Sequence, residues 1–512
     1  MLSIVYACAL IGLDGHVVEV QTDFNPRMGQ PMFTIVGLPG SAVKESRDRV
    51  KAAIKNSRME FPNKGYTVNL FPADLPKQGP AYDLAIAMGV LGATDQAPPD
   101  TLDRAMFIGE LSLNGMVRHV KGIMPITYTA MKAGFERIYV PAMDAPEAAL
   151  VQGIEVYPIE SLGQLVEHLF KLNPIPPFDR STYNYQANAL PFSTTDFSDI
   201  RGQEHIKRGL EIAAAGNHNL LMKGSPGVGK SLMARAMPSI LPSLAPEEAL
   251  EVTRIYSIAD MLPSDSPLFS QRPFRAPHHT ISQAGLVGGG SIPKPGEISL
   301  SHRGVLFMDE IVEFSGKTLE VLRQPIEDKI VTISRAAKAL TFPANFLLVA
   351  AMNPCPCGYF GDSSRACTCS PTLIKQYQGR LSGPLLDRID LHLDVPRVEY
   401  EKLMGNATSE NSATVRQRVQ LARARQVERF KAHQGIYANS DMQAGIVQQL
   451  CPLTPEAKHI LEVSVKRLQL SARSYHRVLK LSRTIADLAD EDLIQVHHVA
   501  EAIQYRPKPL IL

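Results

Sequence analysis

The segment Gly224-Ser-Pro-Gly-Val-Gly-Lys-Ser231 follows the apolar run Asn219–Lys223 and leads into the helix-like Leu232-Met-Ala-Arg-Ala236. It matches G-x-x-x-x-G-K-[ST] in the strand, loop and helix context that the pattern requires. Through Gly224, Ser225, Pro226, Gly227, Val228 and Gly229 the backbone can turn its N–H groups toward phosphate oxygens, and the helix N-terminus adds its dipole. Lys230 then reaches the β- and γ-phosphates of ATP and Ser231 ligates Mg²⁺. A loop of this kind commits its surroundings to an α/β fold.

A second strand pattern, Gly304-Val-Leu-Phe-Met308, ends in Asp309-Glu310. Alone, such a run is a buried strand with a polar end. Downstream of a P-loop it is the Walker B arrangement, in which Asp309 holds Mg²⁺ through its water shell and Glu310 polarises the attacking water. A third, Phe346–Met352, ends in Asn353. That residue either orients water against the γ-phosphate, the role called sensor 1, or starts the turn that Pro354 continues. Three apolar strands ending in chemistry describe a doubly wound α/β sheet with its site at the carboxyl edge.

At about 100 to 200 residues per domain, the 512 residues allow roughly three domains. Lys+Arg 53 against Asp+Glu 51 leave a net charge of +2, which excludes a histone-like protein and an acidic disordered tail. No run approaches the ~18 apolar residues of a membrane span, so no membrane partner is expected. Met1–Leu13 is apolar enough to imitate a signal-peptide core, but no Lys or Arg precedes it and Asp14 ends it. A buried first strand is the expectation. Six Cys are too sparse for a secreted disulfide scaffold and point to a reducing, cytoplasmic compartment. Asn173-Pro-Ile-Pro-Pro-Phe178 and the polar run to Asp196 read as a linker, 173–196. A second break near Val395-Pro396-Arg397 then gives domains 1–172, 197–397 and a helical 398–512.

Phe274-Arg-Ala-Pro-His-His-Thr280, Gly285-Leu-Val-Gly-Gly-Gly290, Pro295-Gly-Glu-Ile-Ser-Leu300, Asn353-Pro-Cys-Pro-Cys-Gly358 and Leu381-Ser-Gly-Pro-Leu-Leu-Asp-Arg388 together carry a specific resemblance. The chain resembles, essentially end to end, the magnesium-chelatase-like AAA+ family of YifB and ComM. The resemblance implies an AAA+ core with a helix-2 insert and an α-helical lid, assembled as a homo-hexameric ring. It further implies a DNA helicase that drives branch migration while transforming DNA is integrated by homologous recombination, with single-stranded and branched DNA as partners. Arg388 resembles the arginine finger that enters a neighbouring subunit's site, and Arg477 resembles the sensor 2 arginine of the lid, with Arg473 as the fallback. Either could instead be an ordinary surface arginine.

Lys230 and Asp309 lie farther apart than a bare P-loop core needs, and the Gly- and Pro-rich stretch 275–298 supplies the excess. That stretch resembles the helix-2 insert of AAA+ clades with pore loops. Lys329–Phe342 reads as a β-hairpin turning around 336–339. Lys294, Arg335 and Lys338 near these tips are candidate phosphate contacts for a translocating strand, or solvated loop tips.

Cys355-Pro-Cys357 and Cys367-Thr-Cys369 cluster four thiols in a short segment. Clustered thiols in a reducing compartment match a closed Zn²⁺ site, although C-x-C is tighter than usual; the alternative is a reduced or redox-active loop. The N-terminal block resembles the Lon-type protease domain, a ribosomal-protein-S5-like α/β fold, at Leu75–Asp83 and Gly115–Pro125. Ala81 stands where that enzyme needs its Ser nucleophile and Met124 where it needs its Lys, with Lys121 three residues away. The block is therefore expected to be proteolytically inactive. Two competing functions remain: a chelatase-type ATPase that remodels a protein partner and, against Ala81, an ATP-dependent protease. The net charge also hides segregation. Val463–Ala486 holds six basic residues and no acid, and Arg416–Lys431 holds six basic residues against Glu428 alone.

Overall fold

The structure is a computed structural model that describes residues 1–28, 31–182, 195–263, 266–290, 293–334, 339–362, 364–397, 410–433 and 435–507. Contacts divide it into two compact units, Met1–Ala189 with Ala249–Phe269, and Leu190–Glu248 with Ser270–Leu512.

In the first unit the apolar start of the chain forms β1 (Leu2–Ile11), which turns directly into β2 (Asp14–Asn25). Their antiparallel register sets Val5 opposite Val20 and Ala7 opposite Val18, all buried. Then come β3 (Met32–Val36), β4 (Gly65–Phe71), β5 (Ala105–Phe107), the hairpin of β6 (Glu110–Leu111) and β7 (Val117–Arg118), β8 (Arg137–Pro141) and β9 (Glu155–Ile159). Seven of these strands form one mixed sheet in the order β3-β4-β2-β1-β5-β8-β9, with β1 at its centre. The helix Asp83–Ala93 is buried at every residue and apolar after Asp83, whose carboxylate pairs with Arg49 at 2.8 Å. Ahead of it Ala81 offers only a methyl group. Met124 is buried in the helix Ile123–Lys132, and Lys121 is exposed.

Ala249–Phe269 belongs to this unit although no sequence pattern marks it. The helix Pro246–Ala259 carries Arg254, which donates to Leu13 O at 3.1 Å and pairs with Asp14 at 3.0 Å. Ser257 Oγ donates to Glu147 Oε1 at 2.5 Å, and Gly122 N donates to Ser257 O at 3.2 Å. His119 bridges Asp144 at 2.5 Å and Asp260 at 3.1 Å. Burial pushes the Glu147 carboxyl up to about 7, and the Asp144 hydrogen bond pushes His119 up to about 9.

Both groups hold their protons more tightly folded than unfolded. The contribution of Glu147 is complete below its ordinary value of 4.5 and is lost as pH rises through about 7. That of His119 is complete below 6.5 and is lost as pH rises through about 9. Glu147→Gln keeps the Oε1 acceptor without the charge. It should flatten the pH dependence of thermal unfolding between about pH 5 and 7 and add roughly 3 kcal/mol of stability at pH 8. A variant destabilised equally at every pH would show that the buried charge carries no such cost.

The second unit contains β10 (Leu220–Lys223), β11 (Phe274–Arg275), β12 (Gly288–Gly289), β13 (Lys294–Pro295), β14 (Val305–Met308), β15 (Ile330–Ser334), β16 (Ala339–Pro343), β17 (Leu347–Met352) and β18 (Leu391–Asp394). Five of them form a wholly parallel sheet in the order β11-β14-β17-β10-β18. β14 and β17 are buried at every residue, as strands covered on both faces must be. Between β11 and β14, where the insert is expected, lie the short helix Gln283–Val287 and the β12/β13 hairpin. β15 and β16 pair antiparallel from Ile330 opposite Pro343 to Ser334 opposite Ala339.

Helices Ser412–Phe430, Ala444–Leu450, Pro455–Leu468, Ala472–Leu488 and Val496–Gln504 complete the unit. Asn411, Thr454 and Ser471 cap three of them by accepting from the N–H of Thr414, Ala457 and Ser474. The basic runs of this region are largely balanced from within the unit. Arg477 and Arg483 are buried, and Lys480 Nζ donates to Ser440 O at 2.8 Å. Arg418 pairs with Glu211 and Glu410, and Arg425 with Asp490 and Asp492. Asp487, buried, takes Arg429 at 2.5 Å and Arg483 at 3.0 Å. Removing it leaves two guanidinium groups with only neutral acceptors (Asp492 O and Glu491 O for Arg483, Asn439 Oδ1 for Arg429), so Asp487→Ala should lose about 3 kcal/mol in a thermal or denaturant melt. A loss under about 1 kcal/mol would mean that water reaches both arginines. No helix among the described residues is long and apolar enough to cross a membrane.

Candidate nucleotide site

At the carboxyl edge of the parallel sheet, β10, β14 and β17 deliver their terminal residues to one loop. Gly227 at φ 80° and Gly229 at φ 90° supply the left-handed turns that bend the loop into the helix Lys230–Ile240. Gly224 N donates to Met352 O at 3.2 Å and ties the loop to β17. The Lys230 ammonium is buried and donates to Gly224 O at 2.6 Å, Ser225 O at 3.0 Å and Asn353 Oδ1 at 3.1 Å. Burial pulls it below its ordinary pKa, while Asp309 and Glu310 pull it back.

Ser231 Oγ donates to Asp309 Oδ2 at 2.7 Å, so the hydroxyl and carboxylate that a hard cation needs already face each other. Glu310 N donates to the other Asp309 oxygen at 3.0 Å. Glu310 itself is exposed, with φ 48° in the left-handed region, a placement that costs a non-glycine residue roughly 1 kcal/mol. Lys230, Ser231, Asp309 and Asn353 therefore form one connected set. Glu310 joins it through its backbone N–H and through the pull of its charge on Lys230.

Arg388 and Arg477 lie at the opposite edge. Leu391 opens β18 and pairs with Leu220, which opens β10, so the residues before them flank the amino ends of both strands. There Asn219 Nδ2 donates to Arg388 O at 3.3 Å, and Arg477 donates to Ile389 O at 2.9 Å. Four residues of β10, about 10 Å at the usual rise, separate that edge from the P-loop. Glu327 binds both Arg388 at 2.7 Å and Arg473 at 2.5 Å. Nothing in the sequence identified Glu327.

Just past Asn353, the four thiols of Cys355, Cys357, Cys367 and Cys369 place their sulfurs within 4.8 Å of one another. Three pairs stand 3.3 to 3.7 Å apart. Sulfurs about 2.3 Å from one tetrahedral Zn²⁺ are separated by about 3.8 Å, so the set fits a single ion. Backbone N–H groups of Tyr359 and Thr368 hold the Cys357 thiol down at about 5, whereas desolvation and the neighbouring sulfurs push Cys367 up to about 12 and Cys369 upward, so the metal-free cluster favours a single thiolate. Cys8 and Cys451 are buried, and burial pushes both thiols up to about 12. Lys294 is exposed on β13, while Arg335 and Lys338 lie outside the described residues.

The chain is similar along its length to known proteins. Three models of the magnesium chelatase subunit ChlI match residues 19–144, 196–403 and, for its C-terminal part, 409–506. The competence protein ComM of Haemophilus influenzae is 43% identical over 507 residues, which cover 99% of this chain and 97% of that protein. YifB of Escherichia coli is 42% identical over 509 residues, 99% of this chain and 97% of its own length. Lon protease 2 of Bacillus subtilis is 24% identical over 189 residues, 34% of this chain and 33% of that protein.

Proposed function

Because the chain belongs to the magnesium-chelatase-like AAA+ ATPase family of YifB and ComM, we propose that it is a ring-forming, ATP-driven DNA helicase. Its work would be branch migration during the integration of transforming DNA by homologous recombination. The connected set of Lys230, Ser231, Asp309 and Asn353 carries the ATPase half of this reading. In it Gly224–Gly229 and Lys230 grip the phosphates, Ser231 and Asp309 hold Mg²⁺, Glu310 activates water, and Asn353 orients that water. The DNA half rests on the relative of Haemophilus influenzae that is named a competence protein.

The position of the arginines supports a ring, because neither Arg388 nor Arg477 shares an edge with the P-loop of its own chain. Both serve as groups offered to a neighbour's nucleotide, Arg388 as the finger and Arg477 as the sensor. Lys294, Arg335 and Lys338 remain the candidate DNA contacts. Zn²⁺ on the four thiols acts as a structural staple, since four protein ligands leave no position for substrate. In the N-terminal unit Ala81 and Met124 provide neither nucleophile nor base, which favours an organising role over proteolysis.

The deciding experiment measures ATP hydrolysis with no DNA, with single-stranded DNA and with a four-way junction, beside strand exchange on the junction. Stimulation by DNA together with ATP-dependent branch movement is expected. Hydrolysis indifferent to every DNA form would transfer the motor to a protein substrate, and peptide cleavage would restore the protease.

A further inference from the structure

The cysteine segment leaves β17 beside the P-loop and folds back against it. Gly358 lies so close to Pro226 that a Cβ on it would stand 2.6 Å from the Pro226 ring carbons, and its φ of +86° is itself the province of glycine. The Asp362 carboxylate accepts from Ser364 N at 2.7 Å and Ser364 Oγ at 2.6 Å, and these bonds, with the Ser225 hydroxyl nearby, hold it well below the usual carboxylate range. On the sheet side Gln378 Nε2 donates to Pro354 O at 2.6 Å. Ser225 and Pro226 thus rest on Asp362 and Gly358.

The support under them has little of its own to hold its shape. Among the described residues from Asn353 to Ser370 there is neither helix nor strand, and only Pro354, Cys355 and Gly358 are buried. A segment so poor in buried apolar surface does not offset its ordering entropy unaided. Two turn bonds, Gly358 N to Cys355 O at 2.9 Å and Asp362 N to Tyr359 O at 3.1 Å, and Arg365 over the Tyr359 ring order it locally, and the four converging sulfurs join its two ends only when a metal binds them.

We propose that a thiophilic divalent metal on Cys355, Cys357, Cys367 and Cys369 and a nucleotide in the P-loop bind cooperatively, each tightening the other through the Gly358–Pro226 contact, with the Asp362 carboxylate beside Ser225 as a second link. The proposal rests on reading the P-loop as the nucleotide site and the four thiols as a zinc site. With metal bound, the knuckle presents one surface and the P-loop is backed in its phosphate-binding shape. Without it the knuckle samples many shapes, and nucleotide affinity falls in proportion to the competent fraction. Linkage requires the same factor in the other direction.

The test uses the full chain, with zinc per chain measured by elemental analysis. A fluorescent ATP analogue is titrated against zinc-loaded and zinc-stripped protein, and zinc is partitioned at equilibrium against a chromophoric chelator with and without Mg²⁺-ATP. Lys230→Ala serves as the control for zinc binding by ATP itself. Stripping should weaken nucleotide binding about tenfold, and ATP should raise zinc affinity by the same factor in wild type and not in Lys230→Ala. Asp362→Asn should keep one zinc per chain yet bind nucleotide more weakly and lose the reciprocal effect. Both ligands bound with affinities independent of each other would overturn the coupling while leaving both sites standing. Absence of zinc would overturn the metal reading, and a zinc-loaded chain blind to nucleotide would overturn the P-loop reading; either removes the proposal. Should the stripped chain unfold by circular dichroism, the zinc-loaded Asp362→Asn variant decides, and unchanged nucleotide affinity there overturns the proposal.

Discussion

The Glu310→Gln protein is expected to bind Mg²⁺-ATP with near wild-type affinity and to hydrolyse it about a hundredfold to ten-thousandfold more slowly. Binding should survive because the groups proposed to grip phosphate and cation are tied to one another and not to the Glu310 side chain: Lys230 to Asn353 at 3.1 Å and Ser231 to Asp309 at 2.7 Å. Gln has the shape of Glu and leaves the bond from residue 310 N to Asp309 intact, so the left-handed turn persists and only the proton acceptor is lost. Lys230→Ala should differ in kind. It removes the charge that meets the phosphates and also three hydrogen bonds that shape the loop, so nucleotide binding itself should disappear. Titration with a fluorescent ATP analogue and a phosphate-release assay separate the two outcomes. Glu310→Gln turning over at the wild-type rate would strip Glu310 of its role, and Glu310→Gln failing to bind would make it a structural residue.

The carboxyl edge of the ATPase sheet was readable because parallel strands buried on both faces write themselves as unbroken apolar runs, and each run here stops at a polar residue. Asn353, ambiguous between turn former and site residue, lies against Lys230 in the folded chain, a contact between residues far apart in sequence that no local pattern encodes. The same limit hid the docking of Ala249–Phe269: the buried face of its helix names no partner, and single polar contacts with Glu147 and His119 fix the place. It hid the seat of the cysteine knuckle too, since Gly358 and Asp362 are unremarkable until Pro226 and Ser225 are seen beside them. Charge runs misled for a related reason. A count along the chain sees Arg418, Arg425 and Arg429 but not the acids that arrive from Glu211, Asp490 and Asp487.

Arg388→Ala should lower ATP hydrolysis about a thousandfold or more while leaving nucleotide affinity nearly intact, and the loss should be repairable by another subunit. The reason is the direction of the sheet. β18 begins level with β10 and runs parallel to it, so Arg388, three residues before Leu391, is held at the amino edge while the P-loop leaves the carboxyl edge. Its Nε is buried without a hydrogen-bond partner among the described residues, and its ion pair with Glu327 fixes it at that edge. On the finger reading, an arginine so placed meets the phosphates of another chain and not those of its own P-loop. Mixing Arg388→Ala with Lys230→Ala therefore creates sites in which an intact P-loop faces an intact arginine, about one interface in four on random assembly. Neither variant alone has any such site. Activity that appears only in the mixture establishes catalysis in trans, whereas a mixture as inactive as its parents returns Arg388 to the role its Glu327 pair already gives it, a strut within one chain. Arg477→Ala mixed in the same way tests the second arginine, whose hold on Ile389 O puts it at the same edge and predicts the same recovery.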